Sequence, residues 1–193
     1  KYARASSPAP HSATPRALPP THRRKAVSFF HSQGRFAHII SPPGGWAWTP
    51  LPGGVPDADD TPGALIALHQ LSENPASEID RAMLGIRWLL GLQNRDGGMP
   101  TFCRGWGHLP FDRSSADITA HAIRAWHLWK PYVTPPLQRS IQLATRRALD
   151  YLKRMQKEDG SWDPLWFGNQ HLEGENNPLY GTAKVVEGWL CLA

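Results

Sequence analysis

Cysteine is scarce in this chain: 193 residues contain two, Cys103 and Cys191. Two such residues point to neither a disulfide framework nor a Cys-rich zinc site. No apolar run approaches the ~20 residues that a membrane-spanning helix needs, so none is expected. No signal peptide is visible. The chain starts at Lys1 rather than Met, and residues 185–192 end on an apolar helical pattern without a stop signal; a fragment of a longer protein is the expectation. Acidic residues are missing from positions 1–40, which hold Lys1, Arg4, Arg16, Arg23, Arg24, Lys25 and Arg35 and carry +7. The other 14 basic and all 16 acidic residues leave positions 41–193 at −2. The net charge of +5 therefore describes the N-terminal segment. No aromatic-rich basic face or recognised binding motif accompanies it, so nucleic acid is not an expected partner.

What the chain does have is 40% apolar residues, including nine tryptophans, enough to bury the core of one domain. Residues 1–24 are rich in Pro, Ser, Ala, Arg and His without an apolar period, and disorder is expected there. Residues 26–40 are ambiguous. The texture changes at Pro42, which gives two parts: a basic, Pro/Ser-rich segment at 1–41 and a domain at 42–193. In the second part Thr61-Pro62 predicts a helix start, with Thr61 as cap and Leu65, Leu68 and Leu71 following. Further helices are predicted over 78–92 with Ser77 as cap, over 116–129 after Ser114-Ser115, over 137–155, and from near Gly181. The connection 94–113 is too rich in Gly and Pro for a helix, and loops of this length are often functional.

The chain repeats itself. Gly85, Trp88, Leu89, Gln93, Gly97 and Met99 match Ala148, Tyr151, Leu152, Gln156, Gly160 and Trp162 at a constant offset of 63 positions. Each copy reads as a helix, a glutamine near its end and a Gly-rich turn. Such units stack because one alone cannot bury its apolar face. The glutamine is expected to cap the helix end and Trp162 to pack on a neighbouring repeat.

This repeat resembles the QW motif of squalene–hopene and oxidosqualene cyclases. Gly44-Gly45-Trp46-Ala47-Trp48 followed by Asp57-Ala58-Asp59-Asp60-Thr61 is similar to the Gly-Gly-aromatic stretch and Asp-x-Asp-Asp-Thr box of the hopene-forming enzymes. Asp117-Ile118-Thr119-Ala120-His121 and Leu179-Tyr180-Gly181-Thr182 look like two further blocks, in family order. The resemblance covers residues 42–193 and implies an all-α fold, part of an (α/α) barrel. It implies a class II terpene cyclase, an isomerase that starts polycyclisation of squalene or a related apolar polyprenoid by protonating an alkene, with no cofactor and no metal. Oxidosqualene cyclases usually carry one Asp followed by Cys in the acid segment, so three aspartates favour an alkene substrate.

The chemistry can be weighed from the residues themselves. An alkene is an extremely weak base, so its acid must stay protonated near neutral pH and still donate strongly. Crowded carboxylates raise the pKa of one member, and desolvation acts in the same direction. A helix N-terminus opposes both by favouring anions. Two ionised aspartates and one protonated donor is the expected division. The resemblance makes Asp59 the donor with Asp57 and Asp60 beside it. It further implies that His121 hydrogen-bonds Asp59, with Asp117, four residues earlier on the same helix face, in support. Cations formed afterwards need aromatic faces rather than nucleophiles, each worth about 0.5–2 kcal/mol. By comparison with the family, Trp48, Phe102, Trp166 and Tyr180 would line the substrate cavity, while Trp106, Trp126, Trp129 and Trp189 are left to packing.

Met99 stands where a tryptophan would close the first repeat, and segments 103–113 and 167–177 depart from the hopene cyclase pattern. A cytoplasmic protein, on a membrane face if it draws substrate from lipid, is the expectation carried by the resemblance. Two other functions remain open: an inactive cyclase piece acting as a helical scaffold, and a zinc-dependent prenyltransferase-like protein using Cys103, His108, His121 and Asp117.

Overall fold

The computed structural model describes residues 43–51, 54–105 and 110–193. The segment 1–41, Trp106 and His108 lie outside these residues. Five α-helices carry the described fold: α1 (Asp60–Leu71), α2 (Ile79–Leu92), α3 (Ala116–Trp129), α4 (Pro135–Met155) and α5 (Pro178–Leu190). A two-residue ladder, β1 (Met99–Pro100) antiparallel to β2 (Ser114–Ser115), clasps the connection between α2 and α3. The chain is all-α, as its apolar periodicity requires.

The centre is α3, which touches the other four helices. It is buried almost all round, with Ala116, Ala120, Ala122 and Ala125 interleaved among Ile118, Ile123, Trp126 and Trp129; the small residues let neighbours come close. One cluster on its flank gathers Leu65, Ile86, Trp88, Leu89, Trp126 and Trp129. The other gathers Ala120, Ile123, Tyr151, Leu152, Trp162 and Val185. By contrast α4 buries a single stripe, Leu137, Ile141, Ala144, Ala148, Tyr151 and Leu152, at helical spacing.

Helix starts differ from the sequence expectations in instructive ways. Helix α1 begins at Asp60 and not after Thr61. The Thr61 hydroxyl does not cap it; the oxygen accepts the Trp46 N–H at 2.9 Å. A 3₁₀ turn, Pro75–Glu78, precedes α2, and its cap is Asn74, which accepts from the Ala76 N–H at 3.2 Å, rather than Ser77. In α4 and α5 the first helical residue is a proline, two and three positions ahead of expectation. Pro fits there because its fixed φ is helical and its missing N–H would be unpaired in any case.

The repeat is reproduced bond for bond. Gln93 Nε2 donates to the Gly97 carbonyl at 2.8 Å, and Gln156 Nε2 to that of Gly160 at 2.9 Å. Gly97 and Gly160 have φ of 93° and 84°, the left-handed region that suits glycine. Asp96 and Asp159 each accept the N–H two residues on, both at 2.9 Å. The glutamine thus closes the turn instead of capping the helix. The capping is done by the indole: Trp162 Nε1 donates 2.8 Å to the carbonyl of Leu152, in the last turn of α4. Met99 has no such donor, and at the end of α2 Arg104 supplies it, reaching the Leu92 and Gln93 carbonyls at 2.8 and 2.6 Å.

Gln93 is buried and its amide also crosses to the Ala144 carbonyl of α4 at 2.9 Å, whereas Gln156 is exposed. Gln93→Ala should therefore cost about 1–3 kcal/mol, because it strands buried carbonyls, and Gln156→Ala less than about 1 kcal/mol. Urea unfolding of the two variants beside the wild type measures the difference, and equal losses would contradict the asymmetry.

Candidate functional site

Asp57 carries the construction. Its carboxylate oxygen accepts the N–H groups of Asp59 and Asp60 at 2.9 and 2.6 Å, satisfying two of the unpaired donors at the start of α1. Its own N–H donates to the Trp46 carbonyl at 3.0 Å. With Thr61 gripping the Trp46 N–H, the loop from Gly44 to Trp48 is fastened onto the helix start. Close approach of that loop to α2 demands glycine: a Cβ on Gly44 would sit 2.4 Å from the Leu84 carbonyl oxygen, and one on Gly85 2.5 Å from the Trp46 ring.

The three aspartates differ in depth. Asp57 is 5% exposed. Burial pushes its carboxyl up to about 7, outweighing the backbone N–H groups that pull it down. Asp60 is raised as well, by burial first. Burial thus holds both inner carboxyls above the ordinary carboxylate range, against the pull of the helix terminus.

Asp59 is the outer carboxylate, its side chain 38% exposed, and its Oδ1 lies 3.5 Å from His121 Nδ1 on α3. Asp59, Asp60 and His121 line an open depression of about 460 Å³ with Trp46, Trp48, Gly63, Ala64 and Ala67. Asp117, two residues into α3, is 2% exposed and raised by burial, with the Ser115 hydroxyl pulling it down. Its hydrogen bond comes from Ser115 rather than from His121.

The structure brings the expected aromatic residues to three places. Trp48 stands on the rim of the depression, 78% exposed. Phe102 and Trp166 meet edge-on at 6.0 Å in a separate cluster that Phe111 completes, 4.9 Å from Phe102 and 4.8 Å from Trp166. Tyr180 packs against Phe167 at 5.5 Å. Its hydroxyl is pushed up to about 12 by burial and then by the charges of Asp117 and Asp59. Of the residues left to packing, Trp126 and Trp129 are fully buried and Trp129 Nε1 donates to the Leu65 carbonyl at 2.9 Å; Trp189 stacks edge-on against Trp162 at 5.1 Å. Phe111 and Ser115 were not singled out as site residues. Phe111 lies in the segment that departs from the family pattern, and Ser115 reads as an ordinary helix cap. Among the described residues, no three His, Cys, Asp or Glu side chains gather as a metal-holding group, and no helix is long and apolar enough to cross a membrane.

The described domain is all-helical and sets two aspartates and a histidine around one depression, with a third aspartate buried behind them. The chain belongs to the squalene–hopene cyclase family, matching its C-terminal domain over residues 30–193. The match begins ahead of position 42, where the motifs start. Three curated relatives illustrate the kinship. The squalene–hopene cyclase of Alicyclobacillus acidocaldarius is 32% identical over 170 residues, covering 75% of this chain and 22% of that protein. The squalene–hopene cyclase of Schizosaccharomyces japonicus is 33% identical over 159 residues, 75% of this chain and 21% of that protein. The enfumafungin synthase of Hormonema carpetanum is 30% identical over 162 residues, 75% of this chain and 12% of that protein. The chain thus spans a quarter or less of the length of the relatives it matches.

The raised pKa of Asp57 has a definite sign in stability. The folded state keeps this proton up to about pH 7, whereas an unfolded carboxyl releases it near 3.8. Stability from this group is therefore present at low pH and is lost as pH rises from about 4 to about 7. Asp57→Asn keeps an acceptor for the two N–H groups without a charge to bury, and should flatten the decline. Urea midpoints of both proteins between pH 4 and 8 check this; parallel curves would remove Asp57 as the cause.

Proposed function

We propose that the complete protein is a terpene cyclase that starts polycyclisation of squalene or a related polyprenoid by protonating an alkene, with Asp59 as the donor. The observation that carries this is Asp59 Oδ1 held 3.5 Å from His121 Nδ1 at the mouth of a depression walled by Trp46 and Trp48. A donor must reach substrate, and Asp59 is the member of the triplet that combines exposure with a histidine partner. His121 orients the carboxyl, and its ring N–H donates to the carboxylate as negative charge develops there. The inner pair, Asp57 and Asp60, fixes the backbone from which Asp59 projects, and Asp117 supports α3 beneath it. Trp48, Phe102, Trp166 and Tyr180 offer aromatic faces to cationic intermediates without offering a nucleophile. No cofactor is required for this proton-initiated chemistry.

Membership of the cyclase family supports an (α/α) barrel built from helices such as these five. An apolar substrate dissolves in bilayers, which supports a cytoplasmic protein working at a membrane surface. Among the described residues nothing encloses the acid: Trp48 is 78% exposed. That favours inactivity of these 193 residues taken alone, since a cation in water is quenched.

In the complete protein, Asp59→Asn should lower squalene turnover by about 10²–10⁴-fold, the loss expected for a general acid. Incubation with squalene and chromatographic analysis of products measures it. A variant that cyclises as fast as the wild type would rule out Asp59 as donor.

A further inference from the structure

We propose that Ser115 is a positioning residue of the acid site, whose single hydroxyl holds the Asp117 carboxylate and the loop bearing Trp166 together. Its role presupposes the cyclase function proposed above.

Ser115 is the last residue of β2 and is 1% exposed. As the residue before α3 it should cap that helix, accepting an N–H from the first turn. It makes no such bond. Its O–H donates to Asp117 Oδ1, and its oxygen accepts the Leu165 N–H at 2.9 Å. A hydroxyl has one proton, so with that proton committed to Asp117 a lone pair is left for Leu165. Donation to a carboxylate enriches the oxygen and strengthens the second bond. The backbone of Ser115 is itself held: Thr119 Oγ1 donates to its carbonyl at 2.6 Å and accepts the Met99 N–H at 2.9 Å.

Each end of this link matters to the site. Leu165 directly precedes Trp166, which meets Phe111 at 4.8 Å and Phe102 at 6.0 Å. The next residue, Phe167, meets Tyr180 at 5.5 Å. A shift of the Leu165 backbone therefore moves the aromatic surface of the loop. At the other end, Asp117 Oδ2 is buried and has no hydrogen-bond partner among the described residues. The rotation of the carboxyl is set at Oδ1 and by the backbone N–H groups of Asp117 and Ile118. The titratable groups facing Asp117 are Asp59 from the start of α1, Tyr151 from α4 and Tyr180 from α5. His121, one turn further along α3, lies 3.5 Å from Asp59, and the Ser115 hydroxyl is the side chain whose hydrogen bond favours the ionised form of Asp117.

The test uses the complete protein with squalene, comparing Ser115→Ala and Ser115→Thr. Without the hydroxyl the Asp117 pKa rises, so the acidic limb of the pH–rate profile should move to higher pH. Turnover should fall about tenfold, the worth of one hydrogen bond to a charged group, and incompletely cyclised products should take a larger share. Ser115→Thr, which keeps the hydroxyl, should restore both the profile and the product mixture. A folded Ser115→Ala with the wild-type profile and products overturns the proposal, and so does a folded Ser115→Thr that behaves like the alanine variant. If Ser115→Ala does not fold, Ser115→Cys replaces it with the same two outcomes, since a thiol is a weak donor and acceptor in a similar volume. A wild type inactive on squalene would sink the cyclase function and this role with it, a result distinct from an active protein indifferent to position 115.

Discussion

The acid site depends on a carboxyl buried where a helix begins. A helix start presents unpaired N–H groups, and Asp57 takes two of them while hidden from water. The two surroundings oppose each other. Aligned peptide dipoles favour the anion by up to about 2 kcal/mol in partly buried geometry. Burial disfavours it and is the larger influence here. The outcome is a buried carboxyl pushed up to about 7 with a second raised carboxyl, Asp60, beside it. Because the backbone N–H of the same residue bonds to the Trp46 carbonyl, the outer Asp59, the Gly44–Trp48 loop and the first turn of α1 are tied together at one residue. That is why the triplet is a structural unit and not three interchangeable acids.

The repeats show how a fold keeps a geometry while its parts change. The glutamine-closed turn is the same in both copies down to its aspartate and its left-handed glycine. The helix end that precedes it is served differently. In the second copy the Trp162 indole reaches a carbonyl of the last turn; in the first, Arg104 does so from a loop. Both supply an N–H to a helix terminus that would otherwise be unsatisfied. Replacement of the indole by Met99 thus leaves the helix end satisfied but removes an aromatic slab, and Met99 is fully buried in the space.

The helical class, the central helix at Ala116–Trp129 and the 63-residue repeat were legible in the sequence, because period and spacing are local properties. The nearness of Asp59 to His121 came only through resemblance, since α1 and α3 are far apart in the chain. Cap assignments failed where side chains had long-range work. Thr61 bonds to Trp46, 15 residues away, and Ser115 to Leu165, 50 residues away. A hydroxyl next to a helix start is read as a cap because local bonds are the default; only tertiary contacts reveal another use. The raised pKa of Asp57 was equally hidden, since three neighbouring aspartates look alike until their depths differ.

Depth also explains why the outer acid can be the chemical one. Protonation of an alkene requires contact between the donor and an apolar chain, which excludes a carboxyl as enclosed as Asp57. It also requires that water be kept from the cation that follows. These demands conflict at an open depression: the exposure that would admit an apolar chain at Asp59 admits water as well. Trp48 at the rim and the neighbouring Leu51, both largely exposed, are apolar surfaces of the kind that a facing wall would cover. The proposed chemistry would therefore need a further surface facing this depression, since the described walls leave the acid open on one side.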